Sequence, residues 1–319
     1  MEVMPEIACV IIFFLLYISS SLFFLYNPNI IHKKKRLAFF CRHISHRGGA
    51  GERIENTLEA FTHAATTGTD MLELDCHLSL DGQVIVSHDE NLLRQTGSDV
   101  TISSLKAQDL PLYKEKLEVT FDVDHFSSGK DRRFALLEEI FKKFPRMPVT
   151  LEIKKNDSVL ARKVSSLVRQ YDREDITVWA TGDSDVMAKC RKENPNMPFM
   201  FTEKRGFLLL VLYYTGLLPF VPLEESLLQF YFPRVFNRTY IADEWYFRNK
   251  VTVYLIEKLT MRKTLFHHLT KRGIQVQLFV CNRENDMDAA FKVGATGLMT
   301  DYPTLLSKYL HKHPPPEIK

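Results

Sequence analysis

The sequence predicts an α/β protein, a (β/α)8 barrel preceded by one membrane-spanning helix. Three observations lead to this prediction. Short apolar segments alternate with helical segments, several apolar segments end in carboxylates or histidines, and a long uncharged run precedes them all. At 319 residues, the chain is long enough to bury a sizeable core in one such domain.

The amino-terminal run Ile7–Tyr26 has no charged residue and is rich in Ile, Phe and Leu. At about 1.5 Å per residue, its length matches the roughly 30 Å hydrocarbon core of a bilayer. Most signal peptides have a shorter apolar part, although Ser19–Ser21 offers a faint cleavage site. We therefore predict an uncleaved anchor over residues 1–30 and a basic linker over residues 31–42.

The orientation of this anchor stays open at the level of sequence. The cluster Lys33–Arg36 follows the apolar run, and the positive-inside rule then places the following domain in the cytosol. The glycosylation sequons Asn156–Ser158 and Asn237–Thr239 are usable only if that domain is lumenal.

The rest of the chain alternates between predicted strands and helices. The predicted strands are residues 43–47, 70–75, 148–154, 175–180, 198–202, 238–243, 274–280 and 296–300, with a hairpin excursion at 83–88 after strand 2. The predicted helices are residues 56–65, 136–143, 159–171, 259–272 and 285–293. Asn56 or Thr57 is a suitable N-cap, and Gly273 and Gly294 are helix-stop signals. This alternation indicates a TIM barrel over residues 43–312, with a tail at 313–319.

Glu73 and Asp75 lie two residues apart in the apolar segment that begins at Met71. Alternate side chains of a strand share one face, so the two carboxylates are expected to lie side by side. Burying two like charges is costly unless a cation lies between them, and the hard cations Mg²⁺ and Ca²⁺ prefer oxygen ligands. A β-hairpin with a polar edge is the structural alternative.

The hairpin prediction brings a histidine to the same place. Asp81-Gly82 is a strong tight-turn signal, and the chain returns through Val84–Val86 to His88. His46 and Arg47 follow the first predicted strand. Together with Glu152 and Lys154 at the end of the third strand, these residues make a metal-assisted phosphate site at the carboxyl ends of the strands.

Six motifs in this order resemble those of the glycerophosphodiester phosphodiesterase family, from about residue 43 to residue 310. They are His46-Arg47-Gly48, Glu55-Asn56-Thr57, Glu73-Leu74-Asp75, His88-Asp89, Glu152-Ile153-Lys154 and Thr300-Asp301-Tyr302-Pro303. The anchor and the overall sequence are most similar to the membrane-bound members that act as lysophospholipases D. The resemblance implies an integral membrane protein, expected in endoplasmic reticulum or perinuclear membranes.

The resemblance also implies the roles of the site residues. Glu73, Asp75 and Glu152 correspond to the ligands of one divalent cation, Mg²⁺ or Ca²⁺, and an alternative role for His88 is as a further metal ligand. Arg47 and Lys154 are the cations available for phosphate oxygens. His46 and His88 resemble the general base and general acid of the family.

Four further residues are expected to support the site. Glu55 and Asn56 brace the His46-Arg47 turn, and Asp301 ends the eighth strand at the catalytic rim. The family often has Trp where this chain has Phe279, so an indole N–H is lost there while an aromatic surface is kept.

The segment Gly206–Leu223 is also uncharged and long enough to span a bilayer. A second span would place the last three strands across the membrane from the first five, which a barrel does not allow. We therefore predict a membrane-associating insertion at 206–232 that admits a lipid tail, with an ordinary barrel helix as the alternative. The aromatic run 227–232 fits an acyl-chain surface.

Composition narrows the function classes. The formal net charge of +3 does not suggest a nucleic-acid partner, and the five cysteines form no CxxC pair. No protein partner is implied. The favoured function is metal-dependent hydrolysis of lysophospholipids at a membrane. Hydrolysis of deacylated glycerophosphodiesters and a catalytically silent lipid-binding module are the alternatives.

Overall fold

The computed structural model describes residues 3–242 and 245–314 of the chain. Its strands are, in chain order, β1 (His43–Ser45), β2 (Met71–Leu78), β3 (Val84–Val86), β4 (Lys116–Glu118), β5 (Phe126–Ser128), β6 (Ala135–Leu136), β7 (Val149–Ile153), β8 (Thr177–Ala180), β9 (Leu227–Tyr231), β10 (Gln275–Phe279) and β11 (Gly297–Thr300). Its helices are α1 (Val3–Tyr26), α2 (Leu58–Thr66), α3 (Leu93–Thr96), α4 (Leu137–Lys143), α5 (Ser158–Gln170), α6 (Ser184–Glu193), α7 (Glu203–Thr215), α8 (Lys250–Thr260), α9 (Lys263–Lys271), α10 (Glu284–Val293) and α11 (Pro303–Lys312).

The parallel strands form one sheet in the order β9, β10, β11, β1, β2, β7, β8. Single parallel bridges from Phe199 to Trp179 and from Met200 to Leu227 join the two outer strands through the segment between them. The fold class predicted from the sequence is confirmed as α/β of the TIM-barrel type. The predicted strand 198–202 is represented by these two bridges.

Strand β2 shows how the core and the site share one element. Leu72 and Leu74 are buried in the cluster that packs the strands against the helices, beside Phe61 of α2. Side chains alternate along a strand, so Glu73 and Asp75 lie on the opposite, interior face. Hydrophobic packing outside the barrel therefore holds the two carboxylates inside it.

The hairpin excursion after strand 2 is present. The end of β2 pairs antiparallel with β3, with Cys76 opposite Val86, and β3 pairs in turn with β6. The turn is closed by Asp81, whose carboxylate accepts from the Ser79 hydroxyl at 2.6 Å and from the Ala107 N–H at 3.0 Å. The predicted N-cap of α2 is Thr57, which accepts from the Ala60 N–H.

The predicted sixth strand, 238–243, is wrong over its described residues, 238–242, which contain one isolated bridge, from Tyr240 to Phe236, and no strand. The strand at this place is β9, which pairs in register with β10 from Leu227 opposite Gln275 to Tyr231 opposite Phe279. A fully buried parallel strand is a near-continuous apolar run, and 227–231 has that pattern. Its polar residue, Gln229, points inward and donates to Gln277 at 2.8 Å.

The same observation corrects the predicted insertion at 206–232. This range contains most of α7 and the whole of β9, so it includes a barrel helix and a barrel strand. The apolar character of 227–231 comes from burial in the sheet. Burial in the sheet does not account for the apolar side chains that α7 exposes.

The helix predicted over 259–272 corresponds to α9, which begins only at Lys263, and residues 259–260 are the end of a separate helix, α8, that was not predicted. The two helices are separated by Met261 and Arg262, and the backbone of Arg262, the residue before α9, is extended. The sequence has no Gly or Pro at this break. The helical spacing of apolar residues therefore continues across it, and no residue signals the end of one helix and the start of the next.

Helix α1 is the one helix of the described residues that is long and apolar enough to cross a membrane, over Ile7–Tyr26. Its second half lies against the amino-terminal end of the barrel. The Ser21 hydroxyl donates to the Gly216 carbonyl at 2.7 Å, and His268 bonds the Leu25 carbonyl at 2.8 Å. Side chains in its first half, such as Phe13, are exposed.

Candidate active site

The turn after β1 places His46 and Arg47 at the carboxyl end of the barrel. Arg47 adopts a left-handed conformation with φ of 49°, and its backbone N–H donates to Glu73 Oε2 at 2.7 Å. Gly48 follows with φ of 79°, and a Cβ there would lie 2.8 Å from the Phe61 ring. Glycine is therefore required at position 48, because its φ is left-handed and α2 packs directly beneath the turn.

Three carboxylates converge inside the barrel. Glu73, Asp75 and Glu152 each offer one oxygen, and these oxygens lie within 4.8 Å of one another. The register explains the meeting, since Asp75 is directly opposite Glu152 where β2 pairs with β7. Glu73 and Asp75 are buried, and Glu152 is partly open to the barrel mouth. The three residues predicted as metal ligands are thus adjacent.

The electrostatics of this cluster favour a bound cation. Burial raises the pKa of Glu73 well above its usual value, and the charges of Asp75 and Glu152 raise it further. Burial likewise raises the pKa of Glu152. Crowded, buried carboxylate oxygens are the donor set that hard divalent ions prefer. The residues present therefore fit one divalent cation.

The two predicted phosphate-binding cations border the cluster. Lys154 Nζ lies 3.0 Å from Asp75 Oδ1 and is partly exposed. Arg47 is buried, and its guanidinium donates to Glu55 at 3.1 Å and to the Thr120 hydroxyl at 3.2 Å. Burial would raise the pKa of Asp75, but Lys154 and the other neighbouring cations hold it well below its usual range.

The His46 ring is fixed by Asp301, the residue that follows the last barrel strand, β11. Its Nδ1 lies 2.6 Å from Asp301 Oδ1, and because a carboxylate accepts, the Nδ1–H donates and Nε2 is left for proton transfer. Asn282 donates to Asp301 Oδ2 at 2.8 Å and accepts from the Asp301 backbone N–H at 2.9 Å. Asp301 therefore orients His46, as a supporting residue would.

His88 has a similar partner within its own loop. Its Nδ1 lies 2.6 Å from Asp89 Oδ1, and Arg94 Nε donates to the other Asp89 oxygen at 2.7 Å. Burial and the charge of Arg47 lower the pKa of His88 to about 4, so its imidazole is neutral at pH 7. The hairpin holds this ring beside the carboxylates, as the sequence predicts.

Glu55 and Asn56 brace the site through a buried network. Glu55 accepts from Arg47, Arg94 and Gln95, the last at 2.9 Å. Although burial opposes ionisation, Arg94 and Arg47 hold the pKa of Glu55 well below its usual range. The Asn56 backbone N–H donates to the Arg47 carbonyl at 2.8 Å, which ties the loop to the catalytic turn.

Some neighbours of the site residues in this network are not predicted from the sequence. They are Asp89 as the partner of His88, Arg94, Thr120, Phe121 and Asn282. Asn282 carried a usable signal, since it follows the seventh barrel strand at the catalytic end. The other four residues lie in the long excursion after β3. The sequence of this segment has no regular strand or helix pattern from which the direction of a side chain could be predicted. Phe279 lies at the end of β10, with its ring 4.4 Å from Tyr231.

Comparisons with known proteins agree with this geometry. A model of the glycerophosphoryl diester phosphodiesterase family matches residues 46–305. The chain belongs to this family. It is 48% identical over 299 residues to human lysophospholipase D GDPD3, which covers 94% of each chain. It is 48% identical over 295 residues to human lysophospholipase D GDPD1, which covers 92% of this chain and 94% of that one.

The solved structures show the same fold at lower identity. The glycerophosphodiester phosphodiesterase of Thermotoga maritima superimposes with a TM-score of 0.57 at 21% identity, over 84% of this chain and 97% of its own. The solved structures thus share the fold, and membership of the family identifies the protein as a phosphodiesterase. The family is generally dependent on a divalent metal, and the carboxylate cluster provides for one here.

Proposed function

We propose that the protein is a metal-dependent lysophospholipase D, which hydrolyses lysophosphatidylcholine and lysophosphatidylethanolamine to lysophosphatidic acid and the free alcohol. The observation that supports this most is the three-carboxylate cluster inside the barrel, with His46 on the turn whose next N–H, that of Arg47, donates to Glu73, and with His88 on the loop that follows β3. The long similarity to two lysophospholipases D and the apolar helix α1 favour a lipid substrate.

The proposed metal ligands are Glu73, Asp75 and Glu152, and Mg²⁺ and Ca²⁺ are both suited to them. When bound, the ion would neutralise phosphate charge. Arg47 and Lys154 contribute positive charge beside the same position. The fork of Arg47 is held by Glu55, so it is positioned before substrate arrives.

The proposed first step uses the substrate's own glycerol hydroxyl. The 2-hydroxyl oxygen attacks phosphorus, the bond from phosphorus to the head-group oxygen breaks, and a cyclic phosphate forms. One histidine removes the hydroxyl proton and the other protonates the leaving head-group oxygen. Water then opens the cyclic phosphate as the two histidines exchange roles. A diacyl phospholipid lacks the free hydroxyl and is expected to react poorly.

His46 and His88 are the proposed proton carriers because each ring is fixed through Nδ1 by a carboxylate. Asp301 fixes His46, and Asp89 fixes His88. In both rings Nε2 is left for the transfer, and the paired carboxylate stabilises the imidazolium that forms. Lysophospholipid and the bilayer are the proposed partners, with endoplasmic reticulum or perinuclear membranes as the proposed location.

Hydrolysis of deacylated glycerophosphodiesters is the second candidate, and the family match supports it. The site residues are the same, and the difference lies in whether an acyl chain contributes to binding. The experiment is head-group release by purified protein from lysophosphatidylcholine and glycerophosphocholine, measured with chelator, Mg²⁺ or Ca²⁺. Dipalmitoyl phosphatidylcholine tests the attack by the 2-hydroxyl.

We expect release from the lysolipid that stops with chelator and in Glu73→Ala. Release from glycerophosphocholine alone would favour the second candidate. Equal turnover of the diacyl lipid would contradict internal attack. Absence of release from every substrate in a folded protein would contradict an enzymatic function and favour a lipid-binding module.

A further inference from the structure

An aromatic strip leads away from the catalytic histidine. The Phe121 ring lies 5.4 Å from the His46 ring, edge to face, and is stacked on Tyr240 at 4.3 Å. Tyr240 contacts Phe236 at 5.6 Å, and Phe236 stacks on Phe247 at 4.6 Å. We call these rings, with Tyr231, the aromatic strip.

The strip lies in loops at the catalytic end of the barrel. Phe121 belongs to the excursion after β3, and the other rings follow β9 or end it. Tyr231 joins the strip to Phe279 at 4.4 Å and is itself partly exposed. Phe121 and Phe236 are buried, Tyr240 and Phe247 are half-buried, and Tyr231 is exposed, so the strip is open to a ligand along Tyr231, Tyr240 and Phe247. Aromatic side chains that line a path to a catalytic residue are suited to an apolar ligand.

At its far end, the strip contacts helix α8. Val253 of α8 is buried in one cluster with Phe236 and Ala242, and Phe247 packs on the same cluster. Two exposed apolar residues flank this contact, Ile241 and Trp245. The strip therefore extends from the reacting centre to the outer surface of the barrel.

Helix α8 presents an apolar stripe to the outside. Its exposed large side chains have the spacing of one helix face and are Val251, Tyr254, Leu255 and Leu259. A helix of a globular domain normally turns such a stripe toward the core. Because the buried side of α8 already packs on the strip, its apolar outer face requires a different explanation.

Helix α7 continues this surface, and both helices are connected to α1. The exposed apolar residues of α7 are Phe207, Leu208, Val211 and Tyr214. The Tyr214 hydroxyl donates to the Leu259 carbonyl of α8 at 2.8 Å, and the Tyr17 hydroxyl of α1 donates to the Thr215 carbonyl. A bilayer that holds the exposed first half of α1 would therefore border α7 and α8.

The charges around α8 suit a phospholipid surface. Exposed cations stand at both ends of the stripe, with Arg248 and Lys250 before it and Lys258 and Arg262 within or after its last turn. Lys258 lies over the Tyr254 ring, with Nζ 5.4 Å from its centroid. Apolar side chains bordered by Lys and Arg are typical of helices that lie in the interface of a membrane.

We propose that the exposed faces of α7 and α8 form a docking surface for a phospholipid bilayer, and that the aromatic strip guides the acyl chain of a monoacyl lipid from this surface to His46. This inference rests on the proposed lipid substrate for its second part. The docking surface itself does not depend on catalysis. A bilayer on this side of the barrel lies along α7 and reaches the catalytic end near Trp245.

The chain contains two tryptophans, which provide a native probe of docking. Trp245 is 80% exposed beside α8, whereas Trp179 is 0% exposed in the barrel wall. Full-length protein is reconstituted in phosphatidylcholine vesicles with or without bromine on one acyl chain, and fluorescence is recorded. We expect brominated lipid to quench the emission of Trp245, and Trp245→Phe to remove the quenched component.

The α8 surface is tested by Tyr254→Glu combined with Leu255→Glu. Leu112→Glu is the matched control, because Leu112 is 53% exposed and Leu255 is 52% exposed, and Leu112 belongs to the excursion after β3 and to neither α7 nor α8. We expect the α8 variant to lose most of the quenching and the control to keep it. Equal quenching in both proteins would overturn the docking surface. Loss of a dimer in the α8 variant without a change in quenching would also overturn it, in favour of a second copy of the chain.

The strip is tested by the dependence of turnover on acyl-chain length. For wild type, we expect kcat/KM for soluble lysophosphatidylcholines to rise with chain length. Tyr231→Ala removes one ring of the strip, and Ile241→Ser removes the exposed apolar side chain that follows Tyr240 of the strip in sequence. Each variant is expected to reduce the advantage of the longest acyl chain roughly tenfold, because methylene groups of the acyl chain then lose apolar contacts. An unchanged chain-length dependence in both folded variants would overturn the strip. If no substrate is hydrolysed, the proposed function fails, and the quenching result still decides the docking surface.

Discussion

The two ends of the barrel bury polar groups in opposite ways. At the carboxyl end, Glu73 and Asp75 are buried beside Glu152, and three carboxylates crowd one point. At the amino end, where α1 docks, buried hydroxyls and imidazoles bond neutral carbonyls, as Ser21 and His268 do, and the buried carboxylate of Glu225 is paired with Arg205. Burial lowers the pKa of His268 to about 4, so this contact is uncharged at pH 7.

This difference in the burial of polar groups indicates which end of the barrel performs chemistry. Buried like charges are a cost that a fold keeps when a ligand or reaction requires it. Neutral side-chain to carbonyl bonds stabilise a contact and are compatible with a nearby apolar phase. We therefore place the reaction at one end and the attachment of the anchor at the other.

The largest effect is expected from Glu73→Gln. The variant loses one charged oxygen ligand, so metal-dependent head-group release should fall by at least about 10³-fold. In metal-free protein the same change relieves crowding among the carboxylates, and the Tm should rise by about 3 °C. Activity assays and differential scanning calorimetry measure the two effects. A variant that is both less active and less stable without metal would contradict the account of the carboxyl end.

Asp301→Asn should reduce kcat by about 10²- to 10⁴-fold with little change in KM, because the amide no longer fixes the His46 tautomer or stabilises its imidazolium. Steady-state kinetics on lysophosphatidylcholine measure this effect. Asp288→Asn serves as a control, since Asp288 accepts from Tyr309 on the outer helices. An equal loss in both variants would indicate a structural effect.

Glu225→Gln tests a buried carboxylate away from the site. Glu225 is buried and paired with Arg205 of α7, so its neutralisation should lower the free energy of unfolding by about 1–3 kcal/mol. Activity per folded molecule should be kept. Chemical denaturation gives the stability change, which is opposite in sign to that of metal-free Glu73→Gln. Stabilisation by both variants would remove the contrast between the two ends.

The smallest effect is expected from Ser21→Ala, which removes one hydrogen bond between α1 and Gly216. The Gly216 carbonyl loses its partner, and local stability should fall by about 1 kcal/mol. Hydrogen exchange at the end of α7 should become faster while head-group release stays constant. Ser20→Ala is the control, because Ser20 bonds the Tyr17 carbonyl within its own helix.

Much of the fold and the site could be predicted from local patterns. The carboxylates of β2 and β7 were placed correctly because strand periodicity and parallel register bring their ends together. The pair Asp81-Gly82 is sufficient to predict the tight turn and the return of the chain to His88. Such features depend on neighbours in sequence, which is why the sequence is sufficient to find them.

The errors fall where tertiary contacts decide. Residues 227–231 had the composition of a lipid-facing run, and the pairing of β9 with β10 makes them a barrel strand instead. The break between α8 and α9 at Met261 has no local signal. The partners of Asp89 and Glu55, among them Arg94, come from an irregular excursion whose path depends on long-range contacts.

The central claim is that the carboxylate cluster holds one divalent ion that the reaction requires. The most direct test is the number of divalent ions per chain after dialysis against Mg²⁺ or Ca²⁺, by elemental mass spectrometry, in wild type and in Glu73→Gln. The account predicts about one tightly held ion in wild type and loss of that ion in the variant. Equal ion content in the two proteins, with head-group release that chelator does not affect, would contradict it.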